Sequence, residues 1–188
     1  IVISFIIPAH NSEKFLKRCV ESVVKEEKQP KDNNLAEVII IENGSSDHTK
    51  QIGTALAEKY ENVFLICSEK GVSNARNAGV KAAHGEWIFF LDADDYLPAG
   101  TLQKLLDTVN SGKAADLYIF SYEKGNAIVN VATGENAYGY EGTGVRECLA
   151  GMLRNPTRCM AVWGKLFRHS IIQQSSLDFN KKLSLAED

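Results

Sequence analysis

The chain has 188 residues, of which 44% are hydrophobic and 24% are charged, and its formal net charge is −3. A chain of this length can bury a substantial core as one soluble domain. The small negative charge excludes a globally basic surface of the kind that binds nucleic acid, and no apolar run reaches membrane-spanning length. The four cysteines are scattered without a C-x-x-C pair, which indicates reduced thiols of a cytoplasmic protein.

Strand and helix patterns alternate through the first half of the chain. Residues 1–8 form a continuous apolar run typical of a buried strand, and residues 10–28 carry one apolar stripe at helical spacing, with Asn11 or Ser12 as the expected N-cap. Further strands are predicted at 37–43, 62–68, 87–91 and 116–122, with helices between them. Repeated strand–helix units predict the α/β class: a mostly parallel, Rossmann-like sheet flanked by helices.

The alternation is lost beyond Tyr122. A segment rich in Gly and Asn, residues 126–142, predicts a short hairpin or an extended excursion. Residues 145–154 are predicted as a helix, 161–167 as a short strand and 176–188 as a loop. No internal repeat or linker divides the chain, so a single domain over residues 1–188 is expected.

Three aspartates, Asp92, Asp94 and Asp95, directly follow the most hydrophobic predicted strand. Ligands of open α/β sheets bind outside the carboxyl ends of the strands, where these acids would lie. Like charges crowd unfavourably unless something positive sits among them, and an all-oxygen cluster suits Mg²⁺ or Mn²⁺. The residues alone are equally compatible with an acidic turn that caps the next helix.

Four stretches of the chain together resemble the family-2 glycosyltransferases, inverting enzymes with the GT-A fold. They are "FIIPAHN", "VIIIENGSSDHT", "GVSNARNAGVKAAHGEWIFFLDADD" and the late "VWGKLF…AED", in the family's order and spacing. The resemblance implies a single glycosyltransferase domain. Its nucleotide-binding half would be about residues 1–95 and its acceptor-side half about 96–188, truncated at the C-terminus.

The resemblance implies a set of residues that contact the nucleotide. Pro8, His10 and Asn11 would border the base, with His10 where the family usually has Tyr. On the residues alone, His10 is equally consistent with an exposed loop histidine. Glu42 and Asn43 stand where the family usually has two aspartates, one of which accepts a hydrogen bond from uracil N3. A UDP-sugar donor is therefore expected.

The resemblance also assigns the groups nearest the chemistry. Arg76 would face the donor pocket, although an ion-pair partner on a solvated helix face explains it equally well. Asp92 would meet ribose or sugar hydroxyls, Asp94 would hold the Mg²⁺ or Mn²⁺, and Asp95 would brace the turn. Asp188 matches the general base that deprotonates the acceptor hydroxyl, whereas its position alone is typical of a frayed tail.

The expected partners follow from the same resemblance. They are a nucleotide-sugar donor and a saccharide or lipid-linked saccharide acceptor, in the synthesis of cell-surface polysaccharide, and no nucleic acid. The expected location is the cytoplasm or the inner face of the membrane. At the membrane, the protein would associate peripherally through a region beyond residue 188.

Three other functions compete with this interpretation. A nucleotidyltransferase would also bind Mg²⁺ and diphosphate, but its Gly- and Arg-rich loop is replaced here by "PAHNSEKF". A glycosidase could use paired carboxylates without metal. A non-catalytic nucleotide-sugar binding module is favoured by the departure at Glu42 and Asn43 and disfavoured by the intact Asp92 and Asp94.

Overall fold

The computed structural model describes residues 1–25, 35–111, 115–120, 122–124, 127–129, 161–175 and 178–181. Its strands are β1 (Ile3–Ala9), β2 (Ala36–Glu42), β3 (Val63–Cys67), β4 (Trp87–Phe90), β5 (Leu117–Ile119), β6 (Tyr122–Lys124), β7 (Ala127–Val129) and β8 (Lys165–Arg168). Its helices are α1 (Leu16–Val24), α2 (Thr49–Lys59), α3 (Val72–Ala82), α4 (Thr101–Val109) and α5 (His169–Gln174).

Six strands form one mixed sheet in the order β3-β2-β1-β4-β8-β5. The first four are mutually parallel, which confirms the predicted α/β class. β8 runs antiparallel between β4 and β5, a placement that the sequence pattern did not indicate. The predicted strand at 116–122 is shorter than expected, because β5 ends at Ile119 and Tyr122 begins the separate β6–β7 hairpin. The predicted helix at 145–154 lies outside the described residues.

Side chains that alternate along the central strands fill both faces of the sheet. Phe5 and Ile7 belong to the core on one face, together with α1, and Ile6 belongs to the core on the other face. α3 packs very closely there, because a Cβ added at Gly79 would collide with Ile6 Cγ2. Glycine at this position therefore sets the distance between α3 and the sheet.

The start of α1 differs from the sequence prediction. Neither Asn11 nor Ser12 caps the helix through its side chain: the N-cap residue is Phe15, and no side chain caps it. The Asn11 Oδ1 atom instead accepts a hydrogen bond from Ser46 N at 2.9 Å, while the Ser12 hydroxyl donates to His10 O at 3.1 Å. Both side chains are used to shape the loop after β1.

None of the helices in the described ranges is both long and apolar enough to cross a membrane. The cysteines of the described residues carry no disulfide: Cys19 is a buried free thiol and Cys67 is an exposed one. Burial is the main reason why the pKa of Cys19 is raised well above its usual value, which keeps this thiol protonated. The structure thus agrees with reduced cysteines at both positions.

Candidate functional site

The loops that follow β1, β2 and β4 meet at one edge of the sheet, because these strands are parallel neighbours. Pro8 lies inside β1, which runs one residue beyond it to Ala9, and is paired with Ile41. Glu42 is the last residue of β2. The sequence-predicted nucleotide and metal residues of the first two strands and of β4 are therefore grouped at the carboxyl edge.

Two side chains join the loop after β1 to the loop after β2. His10 Nδ1 donates a hydrogen bond to Asn43 O at 2.9 Å, and its Nε2 lies 3.3 Å from the Asn11 amide nitrogen, which donates to it. Asn11 adopts a positive φ of 50° and bonds across to Ser46. The exposed imidazole is therefore held in one orientation while its ring remains accessible.

Glu42 and Asn43 are both buried, and each commits one oxygen to the protein itself. Glu42 Oε1 accepts a hydrogen bond from Ser45 N at 2.6 Å, and Asn43 Oδ1 accepts one from Gly71 N at 2.8 Å. Burial disfavours the ionised form of Glu42, but the hydrogen bonds from the loop outweigh it and lower the pKa of this carboxyl. Glu42 is thus a fixed negative charge at the end of β2.

Asp92 lies opposite Arg76, which α3 brings to the same edge. Arg76 Nη2 is 3.8 Å from Asp92 Oδ1, a distance at which the charges attract without a close hydrogen bond. Burial raises the pKa of Asp92, Arg76 opposes the rise, and the negative charges of Asp95 and Asp94 add to it. Among the described residues, no acceptor satisfies the buried Arg76 Nε. In this pair, the charge of Asp92 is only partly balanced by Arg76, and one buried donor of Arg76 lacks an acceptor among the described residues.

Asp94 and Asp95 are exposed on the turn after Asp92. Arg18 of α1 donates from Nη2 to Asp94 O at 2.8 Å, and its guanidinium lies 4.6 Å from the ring centroid of Tyr96. Burial and then the charge of Asp94 raise the pKa of Asp95, with Arg18 opposing them. Arg18 therefore shapes the acidic turn, and no local pattern distinguishes it from neighbouring basic residues of α1.

The chemistry of these side chains fits one part of a Mg²⁺ or Mn²⁺ site. Within the described part of the chain, no group of three or more His, Cys, Asp or Glu side chains is arranged to hold a metal ion. However, Mg²⁺ is commonly bound by only one or two carboxylates, with water and substrate phosphate as the other ligands. The exposed Asp94 beside the undercompensated Asp92 provides such carboxylates.

The predicted catalytic base, Asp188, lies outside the described residues. The late motif is described only in part: Trp163 is half-buried and forms an isolated bridge with Phe90, next to the core of the sheet. The buried Lys165 donates from Nζ to Ala161 O. Residues 178–181, nearer to Asp188 in sequence, contact α3.

Residues 4–172 match the family model of Glycosyl transferase family 2. The match covers most of the chain, and the chain belongs to this family. The poly(ribitol-phosphate) beta-glucosyltransferase of Bacillus spizizenii is 29% identical over 192 residues, covering 99% of this chain and 28% of that protein. The chain covers 50% and 54% of two further relatives, both from Bacillus subtilis, and so spans about half the length of these curated relatives.

Solved structures show the same fold at low identity. S. aureus TarS 1–349 in complex with UDP-GlcNAc superposes with a TM-score of 0.69 at 23% identity, covering 100% of this chain and 51% of that one. Mannosyltransferase PcManGT from Pyrobaculum calidifontis, in complex with GDP-Man and Mn²⁺, gives 0.64 at 17% identity, covering 98% and 49%. The six-stranded sheet flanked by helices is accordingly the GT-A fold.

Proposed function

We propose that this chain binds a UDP-sugar in the presence of Mg²⁺ or Mn²⁺ and belongs to an inverting glycosyltransferase that builds cell-surface polysaccharide. The observation that carries the proposal is the incompletely compensated group at the carboxyl edge, where Asp92 has a raised pKa and the buried Arg76 Nε has no acceptor among the described residues. Groups with perturbed pKa values and unsatisfied buried polar atoms are found more often at binding and catalytic sites. Family membership and the UDP-GlcNAc complex of a structural neighbour support the donor class.

We further propose that the donor is held by residues 1–95 and the acceptor by residues 96–188. The uracil base of the donor would lie near the exposed ring of His10, with Pro8 and Asn11 beside it. Glu42, which already accepts a hydrogen bond from Ser45 N, would also accept one from uracil N3, and Asn43, held by Gly71 N, would support the pocket for the uracil.

The proposed reaction is a direct displacement at the anomeric carbon. The bond from this carbon to the diphosphate oxygen breaks as the acceptor hydroxyl attacks from the opposite face, which inverts the centre. Arg76 can donate hydrogen bonds to phosphate or sugar oxygens, and Asp92 can accept them from ribose or sugar hydroxyls. When bound, Mg²⁺ or Mn²⁺ supplies positive charge to the diphosphate, and Asp94 is the residue that would hold it. Asp188 would accept the acceptor proton.

Calorimetry of UDP binding tests the donor and metal parts of this proposal. We expect affinity to require Mn²⁺ or Mg²⁺, and Asp94→Asn to remove the metal dependence together with most of the affinity, because it removes the fixed charge of the metal ligand. Asp107→Asn, the same change at an exposed carboxylate of α4, is the matched control and should bind as the parent does. Equal UDP affinity with EDTA and with Mn²⁺ would contradict the proposal.

A transfer assay tests the proposed base. Asp188→Asn preserves the shape of the side chain but cannot take a proton, so we expect normal metal-dependent UDP binding and transfer lowered by about 10²–10⁴-fold. Glu187→Gln, one residue earlier, is the matched control and should transfer at the parent rate. If Asp188→Asn transfers sugar at nearly the parent rate, Asp188 is not the base. If the unmodified protein binds UDP-sugar and transfers none, a binding module is the better description.

A further inference from the structure

Three buried polar side chains share one face of α3. Ser73, Arg76 and Asn77 are spaced i, i+3 and i+4, and they are 6%, 7% and 8% exposed. Neighbouring small residues of the helix pack against the sheet instead, as Gly79 does against Ile6. A helix face of this composition needs polar partners, because polar groups that are buried unpaired are destabilising.

Asn77 finds its partners in the backbone of Phe179, 102 residues further along the chain. Its Nδ2 donates to Phe179 O at 3.0 Å, and its Oδ1 accepts from Phe179 N at 2.8 Å. Ser73 Oγ donates to Asn180 O at 3.3 Å. One asparagine thus satisfies both backbone groups of a single residue and fixes the position of segment 178–181 on α3.

The side chain that this contact fixes covers the guanidinium of Arg76. The Arg76 Cζ atom lies 5.6 Å from the ring centroid of Phe179, within the range of a cation–π contact. The ring also packs edge-on with the ring of Phe90, with 5.4 Å between centroids. Phe179 therefore contacts both the end of β4 and the arginine that faces Asp92.

Position is especially important for this arginine. Its Nη2 atom reaches Asp92 only at 3.8 Å, and its Nε has no acceptor in the described part of the protein, so these polar contacts do not hold the guanidinium tightly. The cation–π contact with Phe179 is a further constraint on the orientation of the guanidinium, and it comes from segment 178–181. Removing the anchor of Phe179 would leave Arg76 free to turn away from the pocket.

We propose that Asn77 is a positioning residue for donor binding: by anchoring the backbone of Phe179 it keeps the Phe179 ring over Arg76, and so keeps the guanidinium directed at the donor. This role rests on the proposed UDP-sugar function. It also connects the C-terminal segment, which precedes Asp188 in sequence, to the donor pocket. Binding a donor should accordingly depend on residues 178–181, although they come from the acceptor-side half of the chain.

A double-mutant cycle on UDP affinity with Mn²⁺, measured by calorimetry, tests the inference. Asn77→Ala should weaken UDP binding by about five- to tenfold, and it should have less than about a twofold effect when Arg76 is already alanine, because the two residues act through one contact. Phe179→Ala leaves α3 unchanged and should reproduce the loss, which keeps the test decisive if Asn77→Ala folds poorly. Equal losses in both Arg76 backgrounds, or no loss at all, would overturn the proposal.

Asn62→Ala is the matched structural control. Asn62 also uses its side-chain amide to hold a backbone carbonyl, that of Ala36 at 3.1 Å, but at the amino edge of the sheet. This variant should lower thermal stability and leave UDP affinity unchanged. A comparable loss of affinity in Asn62→Ala would show that stability alone explains the result and would overturn the positioning role.

Hydrogen exchange in the absence of ligand separates this inference from the proposed function. Asn77→Ala should expose the amide of Phe179 and the Nε–H of Arg76 to faster exchange, whereas Asn62→Ala should not. If the unmodified protein binds no UDP yet shows this difference, the anchor stands and the UDP function fails. If the exchange of Arg76 Nε–H is unchanged in Asn77→Ala, the anchor does not act on Arg76 and the inference fails.

Discussion

The two edges of the central sheet both hold acidic side chains, but their surroundings differ. At the amino edge, the buried Glu37 accepts hydrogen bonds from Ser4 Oγ at 2.5 Å and from His84 N at 2.7 Å, and its second oxygen lies 3.3 Å from His84 Nδ1. Ser4 Oγ in turn accepts from Gly85 N at 2.8 Å. Every link of this network ends within the protein.

At the carboxyl edge, Asp92 and Asp95 lack such compensation. Burial and neighbouring carboxylates raise the pKa of both Asp92 and Asp95, and no protein acceptor in the described ranges meets Arg76 Nε. Fully paired buried groups stabilise a fold, whereas groups left incompletely paired indicate a ligand. The comparison therefore separates a structural cluster from the proposed binding site within a single sheet.

The amino-edge cluster also shows why residue types alone can mislead. Serine, glutamate and histidine are the residues of a nucleophilic triad, but here the carboxylate of Glu37 lies between Ser4 and His84. In a triad the imidazole must contact the hydroxyl to remove its proton. Here the carboxylate separates the hydroxyl from the imidazole, so the triad arrangement is not formed, and the cluster anchors the turn between α3 and β4.

The largest effect should come from removing the centre of the amino-edge network. Glu37→Ala leaves the Ser4 hydroxyl and the His84 N–H without their buried acceptor, so we expect the free energy of unfolding to fall by about 3 kcal/mol. Urea denaturation measures this change, and Ser4→Ala is a milder variant if Glu37→Ala does not fold. UDP affinity per folded molecule should be unchanged. If the folded variant bound UDP more weakly, the amino-edge cluster would not be purely structural, and the contrast between the two edges would fail.

A middle-sized effect is expected at Glu42, which combines features of both edges. It is buried and accepts from Ser45 N, as a structural acid would, yet it lies at the carboxyl edge. We expect Glu42→Gln to weaken UDP binding about tenfold and to reduce the preference for UDP over CDP, since a carboxylate accepts the uracil proton better than an amide. Competition calorimetry measures both, with Glu37→Gln as the control that should retain affinity. Unchanged affinity and selectivity would assign Glu42 to the loop alone.

The smallest effect should appear at Asp95. The pKa of Asp95 is higher in the folded protein than in the unfolded chain. Ionised Asp95 therefore lowers the stability of the fold at any pH above its pKa in the folded protein. This loss of stability is absent below the ordinary aspartate pKa of about 3.9, where Asp95 is protonated in both states. Asp95→Asn should therefore slightly raise the melting temperature at pH 7 and have no such effect at pH 3, each against the parent in the same buffer. Asp107→Asn should show no comparable gain at pH 7. A lower melting temperature at pH 7 would mean that Asp95 mainly braces the turn.

The sequence by itself determined most of the parallel half of the fold. Buried strands, amphipathic helices and acids at strand ends are local patterns with periods of two or 3.6 residues, and they place β1, β2, β4 and α1 close to where they form. The order and spacing of the motifs also gave the family, which the family model confirms over residues 4–172. The roles assigned to Pro8, His10 and Asp94 remain predictions.

Only the tertiary structure decided the features that depend on distant partners. Asn11 or Ser12 was expected to cap α1, but Asn11 bonds to Ser46 and Ser12 to His10 O, because the neighbouring parallel strand β2 places its loop next to the loop after β1. β8 enters the sheet between β4 and β5, and Asn77 holds Phe179 from 102 residues away. Such contacts produce no periodic pattern in the sequence, because they depend on which distant surfaces come together when the protein packs. For the same reason, local sequence could not tell the paired Glu37 from the undercompensated Asp92.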